Sequence, residues 1–293
     1  MSYLGDQLIN GLSLGGIYAL IGLGFAMVYG VLRFLNFAHS EVFMVGTFVA
    51  YFSLLGLLPL LPGWPLLVTV AALGLAGLGA ALLAVLIERL AYRALRGQPK
   101  VTALLTAIGI SILLQNLSIH WLSAHTRGFP RVDLPVPPRL FAVLVLLFSY
   151  AVLDWLIYRT DAGTRMRAVA EDPETVELMG LNPARYVVVA FFVGGLFAGV
   201  AGITWGLVYG TVHPQMGFYP GLKAFIIAVV GGVGHLKGTF LVGIALGVIE
   251  ALFAGYLPAE LSGYRESLVF TLLLGVLIWK PAGVFGSGEP PKV

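Results

Sequence analysis

Long apolar stretches alternate with short polar linkers along the whole chain. A helix needs about 20 apolar residues to cross the hydrocarbon core of a bilayer. A ninth stretch, Ala224–Gly234, is too short to cross alone and ends in glycines. The pattern predicts an all-α, polytopic helical membrane protein with about eight transmembrane helices plus a short or broken helix. The predicted spans are Leu8–Leu32, Val42–Leu61, Leu66–Ile87, Val101–Ser123, Leu140–Tyr158, Val187–Tyr209, Thr239–Leu257 and Ser267–Trp279.

Composition supports the membrane class. Charged residues make up 11% of the chain, hydrophobic residues make up 59%, and the mean hydropathy is +0.94. A soluble domain carries about 25% charged residues, so this chain cannot form a water-facing surface of the usual kind. Apolar runs of this length exclude an outer-membrane barrel, whose strands are short and alternating. The absence of cysteine excludes disulfides and thiol chemistry.

The positive charges predict an orientation. The linkers 88–100 and 159–186 each hold four Lys or Arg residues, and short positive linkers stay on the cytoplasmic side. The N-terminus is then expected outside and the C-terminus inside. The outer loop 123–139 keeps three arginines and is the weak point of this assignment.

Segment 159–186 is a polar island between apolar spans, and it carries helix signals of its own. Asp172 followed by Pro173 is typical of an N-cap and the first helical position. Glu174 lies in the first turn, where the helix dipole favours an acid. Gly180 is a candidate C-cap. We therefore expect a helix of about two turns at 172–180.

The predicted short helix has one small apolar edge, formed by Val176 and Met179. A further helical stretch is expected near 164–170. A helix this short is marginal alone in water. It needs a partner, which is either the membrane surface or a groove in another protein.

Four pairs of glycines recur at a spacing of four residues within the predicted spans. Small residues at this spacing let helix backbones approach closely in lipid. Packing within the chain is the expected use, and a subunit interface is the alternative. The pairs are Gly11/Gly15, Gly195/Gly199, Gly202/Gly206 and Gly243/Gly247.

Polar residues inside the spans are few, and in lipid they are expected to face protein or water. Asn36, His39 and Glu41 cluster at a predicted helix break and are the candidate pathway or gate. The alternative is a set of caps and pairs, since Glu41 near a helix start favours the dipole. Glu250 lies mid-span with no cation nearby in sequence, and either a structural or a pathway role fits it. The polar residues within spans are Asn10, Glu41, Gln115, Asn116, His120, Asp154 and Glu250.

No catalytic pattern is present in the sequence. Zinc spacings are absent, and the glycine-rich stretch 231–239 differs from a phosphate loop because Leu236, not glycine, precedes Lys237. The sequence also lacks a dinucleotide fingerprint and a nucleic-acid module. We therefore expect a transport protein without its own nucleotide site, metal or cofactor, and not an enzyme.

Several segments together resemble one family, the LivH-type permease subunit of bacterial branched-chain amino acid ABC importers. The resemblance covers essentially the whole chain and implies a single transmembrane permease domain, 1–293, with a cytoplasmic coupling segment, 159–186. The segments that carry it are Gln7–Leu20, Gly24–Gly30, Asn36–His39, Arg167–Asp172, Met179–Asn182, Gly221–Phe225 and Val230–Gly234.

The resemblance also implies partners. They are a second, homologous permease of the LivM type, two cytoplasmic ATPase subunits that hydrolyse ATP, and a periplasmic or surface-anchored substrate-binding protein. The implied location is the bacterial cytoplasmic (inner) membrane, and no nucleic acid is involved. The segment departs from the general importer pattern, in which two alanines follow the glutamate, because Asp172 follows Glu171. The residues expected to couple to an ATPase are Arg167, Glu171, Asp172, Glu174, Val176, Met179 and Gly180.

The mechanism expected from these features is alternating access. Closure of the ATPases moves segment 172–180, and the attached spans tilt. The pathway is expected at the interface with the partner permease, near Asn36, His39 and Glu41, where helix N-termini can hold a carboxylate. Urea and short-amide importers share this architecture and remain an alternative.

An ion-coupled secondary transporter is the other alternative. It gives Glu41, Glu250 and Asp154 a role as cation or proton sites. It leaves the structured polar island without a role.

Overall fold

The computed structural model describes residues 3–32, 36–95 and 98–286. They form eleven α-helices, a π-helical turn at Glu88–Tyr92, and 3₁₀ turns at Arg93–Leu95 and Ala259–Tyr264. Two short strands are present, β1 (Arg127–Gly128) and β2 (Thr211–Val212). The helices are α1 (Tyr3–Leu32), α2 (His39–Leu57), α3 (Pro65–Ile87), α4 (Lys100–Leu122), α5 (Pro138–Arg159), α6 (Asp161–Glu171), α7 (Pro173–Leu178), α8 (Pro183–Tyr209), α9 (Phe218–Val230), α10 (Leu236–Tyr256) and α11 (Arg265–Trp279).

The predicted all-α membrane fold is confirmed. Within the described residues, eight helical stretches are long and apolar enough to cross a membrane. The short apolar helix is α9, with 13 residues. At about 1.5 Å per residue it is about 20 Å long, which is less than the hydrocarbon core of about 30 Å.

The bounds of the short helix differ from the predicted 224–234. Helix α9 begins at Phe218 and ends at Val230, before the glycines. Gly232 and Gly234 have φ angles of 99° and 75°, in the left-handed region that a helix cannot continue through. The apolar pattern located the helix, but the backbone conformation of the glycines sets its end.

The two short strands show which linkers lie at the same end of the bundle. Strand β1 follows α4 and pairs antiparallel with β2, which follows α8. We call this the strand end. Helices α3 and α5 then bring the linkers 88–100 and 159–186 to the opposite end, which we call the α6 end. Both positively charged linkers therefore lie at one end, in agreement with the orientation expected from their charge.

Helices α1 and α8 form the centre of the bundle and are the most buried of the long helices, while α4 and α11 expose most of their surface. The close helix pairs are α1 with α10, α3 with α8, α1 with α8, and α2 with α8. The largest buried side chains include Phe43, Phe191 and Leu20. The outer helices present apolar side chains outward, as lipid contact requires.

The glycine pairs let these helices approach backbone to backbone. A methyl group on Gly247 would overlap the backbone of Gly15, and one on Gly199 would overlap the backbone of Ala76. Gly202 lies against Thr47 and Gly206 against the ring of Phe129. All four predicted pairs contact helices or loops of the same chain, which confirms the expectation of internal packing.

We expect Gly247→Ala to destabilise the protein and Gly74→Ala to leave it unchanged or slightly more stable. The added methyl at 247 forces α1 and α10 apart, whereas nothing lies within 4 Å of the site at 74 on α3. Overpacking costs about 1–3 kcal/mol, and alanine gains up to about 1 kcal/mol over glycine in an open helix. Thermal unfolding in detergent measures both. Equal melting temperatures for the two variants would contradict the backbone contact.

Candidate functional site

The first turns of two helices, α2 and α9, contact each other within the bundle. Helix α2 starts at His39, whose ring lies against Gly24, eight residues before the end of α1. Helix α9 starts at Phe218, after the strand-end linker. A methyl group on Gly217 or Gly221 would lie under 3.0 Å from Ser40. The first turns of α2 and α9 therefore meet in the interior, and each carries the partial positive charge of a helix N-terminus.

The three predicted pathway residues lie together at this break. Asn36 is buried, and its Oδ1 accepts a hydrogen bond of 2.7 Å from Tyr92 in the π-helical turn. The His39 ring is edge-on to Phe25, with 4.8 Å between ring centroids. Within the described residues, His39 Nε2 has no hydrogen-bond partner. Phe37, between them, packs against the ring of Phe225 on α9.

Glu41 joins the start of α2 to α4. Its Oε1 accepts hydrogen bonds from Gln115 Nε2 at 2.8 Å and from Ser111 Oγ at 3.1 Å. Its Oε2 is buried and has no hydrogen-bond partner in the part of the chain that the structure describes. A carboxylate at a helix N-terminus is favoured by the dipole, but its second oxygen leaves an acceptor available in the interior.

Helix caps organise the polar island, as its sequence predicts. Asp172 Oδ1 accepts hydrogen bonds from the backbone N–H groups of Glu174 and Thr175, both at 3.1 Å. Gly180 has a φ of 82°, and hydrogen bonds run from its N–H to Glu177 and from the N–H of Leu181 to Val176. This pair of bonds is the Schellman motif. The predicted N-cap and C-cap are therefore confirmed, and the helix itself, α7, covers 173–178.

The prediction that Val176 and Met179 form one apolar edge is wrong. Val176 is only 4% exposed and faces the protein. Met179 is the C-cap residue, whose N–H still donates to Thr175 at 3.2 Å, but its side chain is exposed. The outward apolar pair is Leu178 and Met179, which are 89% and 75% exposed. Sequence spacing missed Leu178 because it does not show which face of a short helix packs against the protein.

The remaining predicted coupling residues occupy the outer surface of α6 and α7. Arg167 donates to Thr164 and lies 5.3 Å from the centre of the Tyr158 ring. Glu171 is exposed at the last position of α6, and Glu174 is exposed in the first turn of α7. All three belong to the exposed, charged surface of the island, which also carries the tip formed by Leu178 and Met179.

Sequence reasoning missed a buried charge cluster near the strand end. Lys223 of α9 is 2% exposed, and its Nζ lies 2.9 Å from both carboxylate oxygens of Glu250 on α10. Tyr18 lies 3.1 Å from the same Nζ. Glu266 Oε2 lies 2.8 Å away, without hydrogen-bond geometry. Arg265 lies 3.4 Å from Glu266.

The sequence shows no cation near Glu250, and the structure provides one from another helix. Lys223 and Glu250 lie 27 residues apart, so no local spacing links them. A signal did exist, because two opposite charges in apolar helices are expected to pair. The cluster lines a cavity of about 430 Å³ between α1, α8, α9, α10 and α11.

Comparison with known proteins identifies the family. A family model described as the permease component of the branched-chain amino acid transport system matches residues 7–278. LivH, a high-affinity branched-chain amino acid transport system permease protein of Escherichia coli (strain K12), is 35% identical over 99% of this chain and 98% of its own length. BraD of Pseudomonas aeruginosa, described in the same words, is 35% identical over 98% of this chain and 97% of its own length.

A second permease type is more distantly similar. LivM of Escherichia coli (strain K12) is 29% identical over 52% of this chain and 34% of its own length. No solved structure matches the chain. The family match over most of the sequence and the relatives of equal length show that the chain belongs to the family of branched-chain amino acid transport system permease components, and is a multi-pass membrane transport subunit rather than an enzyme.

Proposed function

We propose that this chain imports branched-chain amino acids as one of two homologous permeases in the cytoplasmic membrane. Its partners are a LivM-type permease, two cytoplasmic ATPase subunits and a substrate-binding protein outside. The near full-length similarity to LivH and BraD supports the solute class. The similarity to LivM supports a homologous partner. ATP is hydrolysed by the separate subunits, and this chain converts their movement into a change of access.

The observation that carries the coupling role is the exposed apolar tip of the island. Leu178 and Met179 are 89% and 75% exposed at the α6 end, in a segment that also exposes Glu171 and Glu174. An exposed apolar pair with a polar rim is typical of a protein contact. The positive linkers favour a cytoplasmic position for this end, the side on which the proposed ATPase subunits act. We assign the tip to a groove on an ATPase subunit.

The island packs against the membrane helices closely enough to transmit a displacement caused by the ATPase subunits. Met166 and Val169 of α6 and Val176 of α7 are buried against the membrane helices. Gly163 lies directly on the backbone of α5, where a methyl group would overlap the carbonyl of Leu156. Because packed interfaces switch between discrete arrangements rather than deform, a displaced tip moves α5 and α6 together.

A ring contact extends this connection to α10. Arg167 of α6 and Lys237 at the start of α10 each lie 5.3 Å from the centre of the Tyr158 ring on α5. Cation–π contacts of this kind contribute about 0.5–2 kcal/mol. Three helices are therefore joined at the α6 end around one aromatic side chain.

We place the gate at Asn36, His39 and Glu41. Three features support this assignment: the break before α2, the meeting of two helix N-termini, and buried polar atoms without partners among the described residues. The cavity next to Asn36 is only about 10 Å³, roughly the space of a single water molecule. We take the gate to be closed in this conformation, since a space of this size cannot hold an amino acid.

We expect Leu178→Ser with Met179→Ser to reduce ATP-driven uptake and transport-linked ATPase activity by about fivefold or more. Removing two exposed apolar contacts at the centre of an interface costs more than about 1 kcal/mol. The exchange variant Leu178→Met with Met179→Leu keeps the apolar area and is the matched control. Both are measured in the reconstituted complex. Undiminished activity of the serine variant would exclude the tip as the ATPase contact.

We expect Glu41→Gln to reduce uptake by about tenfold or more while the melting temperature stays close to that of the wild type. The amide keeps an acceptor for Gln115 and Ser111 but removes the charge at the gate, and tenfold in rate corresponds to about 1.4 kcal/mol. Asn116→Ala is the control, since that amide donates to Ile112 of its own helix. Uptake rates of the two variants are compared with the wild-type rate in proteoliposomes. Wild-type uptake by Glu41→Gln would remove Glu41 from the gate.

A further inference from the structure

The strand-end cavity combines charged and apolar walls. Charges of both signs lie at its base, and Arg139 at the start of α5 adds a third cation beside Lys223 and Arg265. Leu14, Trp205 and other apolar side chains line the remainder. Packing for stability alone fills the space between helices with side chains. An open cavity with mixed walls around a few convergent polar groups is typical of a ligand site.

The cavity opens away from the ATPase side. Its lining residues come from α1 between Gln7 and Tyr18, from the first two turns of α5, α9 and α11, and from the last two turns of α8 and α10. These parts of the helices lie toward the strand end. Glu266 and Arg265 side chains are each 40% exposed there. The cavity next to Asn36 is far smaller, at about 10 Å³. A solute released outside the membrane can therefore enter the strand-end cavity, whereas the space beside Asn36 is too small for an amino acid.

Polar atoms without partners face this cavity. Ser13 is 1% exposed, and its Oγ has no hydrogen-bond partner among the described residues. Asn10 Oδ1, one turn earlier on α1, is likewise buried and without a partner there. Both residues line the cavity. A buried hydroxyl or amide without a partner costs about 1–3 kcal/mol, so these groups are placed to meet a polar ligand.

The cations of the cavity differ in how many of their hydrogen-bond donors are already used within the protein. Lys223 is surrounded by Glu250, Tyr18 and Glu266, so its three N–H donors are occupied, and it fixes the two carboxylates in position. Arg265 Nη2 lies 3.4 Å from Glu266 and 4.0 Å from Glu250, and both contacts use this one nitrogen, which leaves most of the guanidinium donors available. A guanidinium is suited to a carboxylate, which it can bind through two parallel hydrogen bonds.

We propose that this cavity is an outward-facing transit site for the zwitterion of an apolar α-amino acid. Arg265 and Arg139 receive its carboxylate, Glu266 receives its ammonium group, and Trp205 with Leu14 contacts its side chain. Three cations and two carboxylates leave one excess positive charge. That charge favours a ligand with a carboxylate over a neutral amide. The assignment depends on the amino-acid import proposed above and adds the place where the solute waits before the gate opens.

The test is equilibrium binding of radiolabelled leucine to the purified permease–ATPase complex with the substrate-binding protein omitted. We expect saturable binding that unlabelled leucine competes for. Leucinamide, which lacks the carboxylate, and 4-methylpentanoate, which lacks the ammonium group, should compete about tenfold less well or worse. Equal competition by either analogue would contradict the proposed division of charges.

Variants locate the binding in this cavity. Arg265→Gln and Glu266→Gln should each weaken leucine binding about tenfold, whereas Arg131→Gln and Glu260→Gln, exposed charges at the same end, should not. Ala254→Leu keeps every charge, fills part of the cavity and should also weaken binding. It therefore tests the site even if a charge variant fails to fold. Wild-type binding by all three cavity variants would overturn the proposal.

Leucine uptake by the complete system, with the binding protein added, distinguishes a failure of the transit site from a failure of the proposed import function. If wild-type uptake is intact but the complex shows no leucine binding, the transit site is wrong and the import function stands. If the wild-type system takes up no leucine at all, the proposed import function itself is wrong.

Discussion

Close backbone contact between helices is the constraint on which the structure depends. Lipid provides no hydrophobic force between apolar helices, so dispersion contacts at short range hold the bundle together. Gly15 with Gly247, and Gly199 with Ala76, bring α1 to α10 and α3 to α8 without intervening side chains. This arrangement leaves the centre of the bundle to α1 and α8. The first turn of α2 then packs in the interior on the start of α9. The buried polar residues Asn36, His39 and Glu41 lie at this break between α1 and α2.

The polar features then form a sequence along the membrane normal. At the strand end, Lys223 and Glu250 form the base of an open cavity. Below it, Ser40 of α2 meets the start of α9, and Glu41 joins α2 to α4. At the α6 end, Tyr158 lies between Arg167 and Lys237. In the proposed function, the open outer cavity, the gate at Glu41 and the island that contacts the ATPase are the parts that alternating access requires, and helices that contact α1 contribute to each.

Local signals were predictable from the sequence and distant contacts were not. The caps at Asp172 and Gly180 depend on neighbouring residues, so sequence alone located them. The eight spans followed from apolar length. The pair of Lys223 and Glu250 joins two helices, and only the packing of α9 against α10 brings the charges together. The failed edge of Val176 and Met179 also has a distant cause, because Val176 is buried where α7 meets α6 and α8, while Met179 is exposed.

The central claim is that separate ATPases drive this subunit. Leucine accumulation in proteoliposomes tests it most directly, with the full complex and the binding protein present and the ion gradients collapsed. The account predicts accumulation that requires ATP and is unaffected by sodium or proton gradients. Accumulation by this chain alone, driven by a sodium or proton gradient without ATP, would contradict it.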